Sequence, residues 1–252
     1  VVVVSDFIEY VSDHLVVRRL KMGSSNRRMI CFPPSGGNSL SFKPLCDMLS
    51  CEGEVWAVDP PGHGLSRGKL LDQVEAMADL YIRKLQPFFA GIFSLLGHSL
   101  GGLVAFVLAS RLEAESLPPS SLTICATQPP HFIRKANRIC DLPDSEMVEH
   151  LVRMNGIPKQ LTEYPKLLNA YMPAIRSDLH AYEYFELKEN RTYHGRTLVV
   201  GGTKDFLAHA SQLGEWERYC PNMNLHIVDG DHFFVQHKPE LLAGILHANV
   251  GV

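Results

Sequence analysis

Short apolar runs rich in β-branched residues alternate along the chain with longer stretches of helical period, the pattern of parallel strands joined by helices. It predicts strands over His14–Leu20, Arg28–Phe32, Glu54–Val58, Gly91–Leu96, Leu122–Ala126, Arg196–Val200 and Leu225–Val228. Helices are expected over Ser41–Leu49, Leu71–Phe88, Leu100–Leu112, Ala210–Tyr219 and Pro239–His247. Within Leu71–Phe88, for example, Val74, Met77, Ala78 and Tyr81 fall on one helical face.

Between Gln128 and Gly195 this rhythm breaks. The interval carries Pro129, Pro130, Pro143, Pro158, Pro165 and Pro173 and reads as short amphipathic helices. Met147, Leu151 and Met154 share one face, and Leu167, Leu168 and Tyr171 another. Residues 128–195 are therefore expected to form a helical lid inserted between two core strands, inside a single domain spanning 1–252. Methionine and aromatic side chains suit an adaptable apolar surface; plain structural decoration is the alternative.

The run from Gln86 to Ser110 has no Asp, Glu, Lys or Arg and is long enough to span a bilayer. Gly97, His98, Ser99, Gly101 and Gly102 interrupt it, so a buried strand, a tight turn and a buried helix are expected in place of a membrane span. With 46% hydrophobic and 20% charged residues, the chain has the composition of an ordinary globule. A net charge of −3 gives no electrostatic reason to expect nucleic acid or an anionic membrane as partner. The six cysteines form no C-x-x-C pair and read as reduced, packed thiols. Val1–Val4 has no basic flank or cleavage-like site, so no signal peptide is expected and a cytoplasmic location follows by default.

Gly97-His98-Ser99-Leu100-Gly101 fits G-x-S-x-G, directly after an apolar strand and opening an apolar helix. That context lets a sharp strand-to-helix turn present a serine nucleophile beyond the carboxyl end of the sheet. A serine hydroxyl needs a base to take its proton, and the base needs an orienting acid. In the α/β-hydrolase fold these follow in the order Ser, Asp or Glu, His. Asp205 closes the loop after the strand ending at Val200, and His232 lies just after the last strand in Gly230-Asp231-His232-Phe233-Phe234. His98 is read as structural, His63 as part of a turn near the site, and Asp231 as facing solvent or a backbone amide.

An oxyanion needs two backbone N–H donors. Leu100, after the nucleophile, is one. In Phe32-Pro33-Pro34-Ser35-Gly36-Gly37 the prolines cannot donate, and Ser35 is the best placed residue that can. The twelve histidines show no metal-ligand spacing, and Gly36-Gly37 lacks the Lys-Ser/Thr ending of a phosphate loop. No metal or nucleotide cofactor is expected.

These residues resemble a known family, the type II (external, editing) thioesterases of nonribosomal peptide and polyketide assembly lines. The likeness covers nearly the whole chain. It rests on Cys31-Phe-Pro-Pro-Ser-Gly-Gly37 with Phe42, Pro61-Gly-His-Gly64, Gly97-His-Ser-Leu-Gly-Gly102, Gly201-Gly-Thr-Lys-Asp205 and Gly230-Asp-His-Phe-Phe234. The resemblance implies a mostly parallel α/β-hydrolase sheet flanked by helices, with a mobile helical lid. It implies hydrolysis of acyl thioesters on the phosphopantetheine arm of an acyl or peptidyl carrier protein, by a monomer that needs no cofactor. By motif position, Ser99, Asp205 and His232 become the triad, and Ser35 and Leu100 the oxyanion donors. The family often has Pro-Gly-Arg-Gly where this chain has Pro61-Gly-His63-Gly64, which leaves open any role of that arginine. The same motifs would permit a general carboxylesterase or a medium-chain fatty acyl thioesterase; a non-catalytic hydrolase-fold binding protein would be expected to have lost part of the triad.

Overall fold

A computed structural model describes residues 8–12, 15–50, 52–133, 138–187 and 191–249. Eight strands form one sheet: β1 (Ile8–Ser12), β2 (Leu15–Lys21), β3 (Arg27–Phe32), β4 (Glu54–Asp59), β5 (Ile92–His98), β6 (Leu122–Cys125), β7 (Thr197–Gly202) and β8 (Met223–Val228). Their order is β1-β2-β4-β3-β5-β6-β7-β8. β2 pairs antiparallel with both β1 and β4, and every pairing from β4 to β8 is parallel. This is the mostly parallel, helix-flanked sheet of the α/β-hydrolase fold.

The period of two along each strand divides the core into two layers. Ile30 and Phe32 of β3, with Trp56 and Val58 of β4, face α2 (Val74–Lys84) and α3 (Leu100–Ala114). Met29 and Cys31, with Val55 and Ala57, face α1 (Lys43–Met48) and α6 (Pro239–Asn249) on the other side. α3 is buried nearly all round, as expected of a helix with no polar face. The uncharged run before Arg111 thus resolves into a 3-10 turn (Gln86–Phe89), β5 and α3.

Several elements differ from expectation. β1 was not predicted: an edge strand lacks the continuous apolar run of a central one. His14, placed at the start of a strand, lies outside the described residues. The helix expected from Leu71 begins at Val74 and ends at Lys84, and Pro87 sits in the separate 3-10 turn that follows. Ser39–Phe42 is a 3-10 turn capped by Asn38, and α1 follows it. Ala210–Arg218 is 3-10 throughout.

The segment between β6 and β7 holds α4 (Asp144–Arg153) and α5 (Pro165–Glu183). The expectation of short helices fails at α5, which runs for 19 residues through Pro173. Met147 and Leu151 of α4 pack against Leu168, Met172 and Ile175 of α5. Leu168 alone of its expected apolar trio is buried; Leu167 and Tyr171 are exposed. Cys31, Cys46, Cys125, Cys140 and Cys220 are buried, while Cys51 lies outside the described residues.

Candidate active site

Ser99 stands between β5 and α3 with φ 54° and ψ −117°. A non-glycine residue in that region costs about 1–3 kcal/mol and persists only where its surroundings enforce it. Here they do. A Cβ on Gly97 would sit 2.0 Å from the Gly101 carbonyl oxygen, and one on Gly101 would sit 2.0 Å from that of Phe32. Strand, turn and helix therefore approach more closely than any side chain would permit.

The last two strands deliver the partners. Asp205 and His232 follow β7 and β8, and the two loops are tied by Lys204 N–H donating to the Gly230 carbonyl at 2.9 Å. His232 Nε2 lies 3.0 Å from Ser99 Oγ, and His232 Nδ1 lies 2.9 Å from Asp205 Oδ2. The other carboxylate oxygen, Oδ1, accepts from the N–H groups of Leu207 and Ala208, both at 2.8 Å. With both oxygens engaged and the side chain fully buried, Asp205 has one orientation. The imidazole is thus held with Nδ1 protonated and Nε2 facing the hydroxyl. That arrangement can accept the serine proton.

His98 lies behind this array. Its Nε2–H donates to the His232 carbonyl oxygen at 2.8 Å. Burial, together with the nearby His232, pushes its pKa down to about 3, so it is a neutral brace in the neutral pH range. Asp231 accepts from the Phe233 N–H at 3.0 Å and lies 3.1 Å from His237 Nδ1, away from the Asp205–His232–Ser99 chain.

The loop after β3 turns at Pro34–Gly37, closed by Gly37 N–H donating to the Pro34 carbonyl at 2.8 Å. Gly36, at φ +70°, supplies the positive φ that a type II turn requires at its third position. Its N–H is taken by Asp178 Oδ2 at 2.7 Å. Ser35 and Ser99 both line the same cavity, and Leu100 opens α3 beside them.

That cavity measures about 420 Å³. Ile139, Leu151, Met154, Ile157 and Ile175 come to it from the segment between β6 and β7, and Phe206, following Asp205, stands at its wall while 78% exposed. Few polar groups share it, among them Gln128, His150 and Glu183. Glu183 is already committed, accepting from the N–H groups of Ile139 and Cys140 at 2.9 Å each.

Sequence reasoning missed two features. His63 is buried, with Nδ1 3.1 Å from the Pro61 carbonyl oxygen and Nε2 3.1 Å from Asp178 Oδ2. The second approach is close but off the line of a straight hydrogen bond, and becomes a charge pair when His63 is protonated. Burial disfavours the imidazolium, but Asp178, the Pro61 carbonyl and Asp59 outweigh it, and the His63 pKa is raised. Asp178 itself carried no local signal, because its partners lie on distant loops.

A family model described as a thioesterase domain matches residues 27–250. Thioesterase PikA5 of Streptomyces venezuelae is 26% identical over 230 residues, covering 89% of this chain and 82% of that protein. The solved structure of ClbQ from the colibactin NRPS/PKS pathway is 26% identical, with a TM-score of 0.82 over 90% of this chain and 97% of its own. The type II thioesterase BorB from the borrelidin biosynthetic cluster shares the fold at a TM-score of 0.84 and 24% identity, over 93% of this chain and 97% of its own.

Proposed function

This chain belongs to the thioesterase-domain family, and we propose that it hydrolyses acyl thioesters held on the phosphopantetheine arm of a carrier protein. The observation that carries the reading is the unbroken hydrogen-bonded chain from Asp205 through His232 to Ser99 at the wall of an apolar cavity. His232 Nε2 takes the Ser99 proton as Oγ attacks the thioester carbonyl, and Asp205 steadies the imidazolium. The negative charge on the tetrahedral oxygen is received by the N–H groups of Ser35 and Leu100. Each such donor contributes on the order of 3 kcal/mol. The C–S bond then breaks, the thiol leaves with the proton from His232, and an acyl-Ser99 ester remains. Water deprotonated by His232 attacks that ester, and a second collapse frees the carboxylic acid and restores Ser99.

Residues 128–195 serve as the lid in this reading, since their helices supply much of the acyl chamber. A carrier protein as partner is supported by the biosynthetic setting of the relatives, ClbQ's NRPS/PKS pathway among them.

The test presents one acyl group on a phosphopantetheinylated carrier protein, on coenzyme A and as an oxygen ester, with Ser99→Ala as blank. The carrier-bound thioester should win by about tenfold or more in kcat/KM, about 1.4 kcal/mol of transition-state discrimination. An oxygen ester turned over equally well would make the protein a general carboxylesterase. Folded protein whose Ser99 resists a fluorophosphonate would not be a serine hydrolase at all.

A further inference from the structure

Asp178 lies on α5, 2% exposed, yet none of its work is done within that helix. Its Oδ2 accepts the Gly36 N–H at 2.7 Å across 142 residues of sequence, and the same oxygen lies 3.1 Å from His63 Nε2. Gly36 adjoins Ser35, so this bond holds the turn that carries the Ser35 N–H. One helical turn earlier, Ile175 seals the contact: a Cβ on Gly36 would sit 2.6 Å from its Cγ1. Three pieces of chain thus meet at one carboxylate, the loop after β3, the turn after β4 and helix α5.

We propose that Asp178 is a positioning residue, clamping the oxyanion loop through the Gly36 N–H and fastening both loop and α5 to His63. The proposal rests on the reading of Ser35 as an oxyanion donor. It adds that α5 is not an independent flap over the chamber, because swinging it away would release Gly36 and with it the alignment of the Ser35 N–H. Other groups near the carboxylate have their own commitments or no charge to offer. Asp59, on β4, accepts from the N–H groups of Ser39 and Leu65 and faces Arg18. Tyr81, on α2, is fully buried, and its hydroxyl is driven to higher pKa first by burial and then by Asp178 and Asp59.

Asparagine at this position separates clamp from charge. Its amide oxygen, standing where Oδ2 stands, can still accept from Gly36, while the negative charge that faces His63 is lost. Alanine removes the acceptor outright.

The experiment measures kcat and KM on an acyl thioester for wild type, Asp178→Ala and Asp178→Asn. Rates are normalised to sites that a fluorophosphonate labels at end point, so misfolded protein is not counted. Asp178→Ala should lose roughly 10²-fold in kcat, the scale of an ångström misplacement, with KM nearly unchanged. Asp178→Asn should recover most of that loss. Leu246→Ala, a core truncation of a side chain that does not line the cavity, should lower the melting temperature without changing kcat per labelled site. Wild-type kcat in Asp178→Ala overturns the proposal, and so does an Asn variant as impaired as Ala. Hydrogen exchange on the wild type reads the clamp even if Asp178→Ala does not fold: the Gly36 amide should be protected to the same degree as the amides of α5 around Asp178. A freely exchanging Gly36 beside a protected α5 refutes it. A wild type that hydrolyses no thioester would refute the proposed function and leave the exchange result standing.

Discussion

Replacing Ser35 by proline isolates a single backbone N–H, because the turn that holds it is of the kind proline favours. The turn runs Pro34–Gly37, is closed by the Gly37 N–H, and has φ +70° at Gly36. Ser35 is therefore the second residue of a type II turn, where proline's fixed φ is accommodated. A compatible proline reduces the entropy of the unfolded chain, stabilising by about 0.4–1 kcal/mol, or about 1–3 °C in melting temperature for a chain of this length. The effect on catalysis has the opposite sign. Loss of one oxyanion donor costs about 3–4 kcal/mol, a fall in kcat of roughly 10²–10³. The ring Cδ also occupies the place of the hydrogen, so this is the minimum loss. Ser35→Ala keeps the N–H and should remain near wild type. The assay is kcat on an acyl thioester beside a thermal melt of each variant. A proline variant that melts no lower than wild type yet keeps its kcat within a factor of about three would refute the assignment, since a lost donor costs far more. A lower melting point would refute the turn geometry.

Asp205→Asn should leave the fold intact, because its amide oxygen can still accept from Leu207 and Ala208. The amide NH₂ would face His232 Nδ1 and favour the wrong tautomer, so kcat should fall by on the order of 10⁴; steady-state kinetics with a circular dichroism control checks this. His63→Gln should lose stability in a pH-dependent way. A raised folded-state pKa stabilises fully below the unfolded value near 6.5, and that contribution fades as pH rises through the folded value. Urea unfolding should thus show a larger gap between wild type and His63→Gln at pH 6 than at pH 8.5; a gap that is constant or grows with pH contradicts the pairing with Asp178. Phe206→Ala should raise KM for the carrier-bound substrate by up to about tenfold while sparing kcat, as expected if the exposed ring is covered by ligand. Equal KM values in the two proteins would show that the ring stays in water.

What could be read from the sequence follows from the distance over which each feature is encoded. Ser99 and Asp205 follow buried strands and His232 follows the edge strand β8, each within a run dense in glycine. A parallel sheet brings the carboxyl ends of its strands to one side. Pattern and chain order together were therefore enough to place all three around one hydroxyl, which the distances of 2.9 and 3.0 Å now show. Ser35 stands out in the sequence as a candidate donor for a similar reason, since two prolines that cannot donate leave few alternatives.

The inserted segment was less legible, and α5 shows why. Pro173 was read as punctuation because proline removes an N–H and clashes within a helix. It nevertheless lies inside α5 on the exposed side, as does Asn169, whose carbonyl loses its partner and can turn to water. Met172, Ala174, Ile175 and Asp178 meanwhile bury the opposite face, and tertiary packing overrides the local penalty. The carboxylate that joins Gly36 to His63 sits on that buried face. Nothing in its immediate sequence distinguishes it from a solvated aspartate; only the folded chain shows a buried acid facing two loops that the sequence places far apart. Under the proposed mechanism, the nucleophile could be anticipated one motif at a time. The alignment of the oxyanion loop depends on contacts among three motifs, so it had to await the fold.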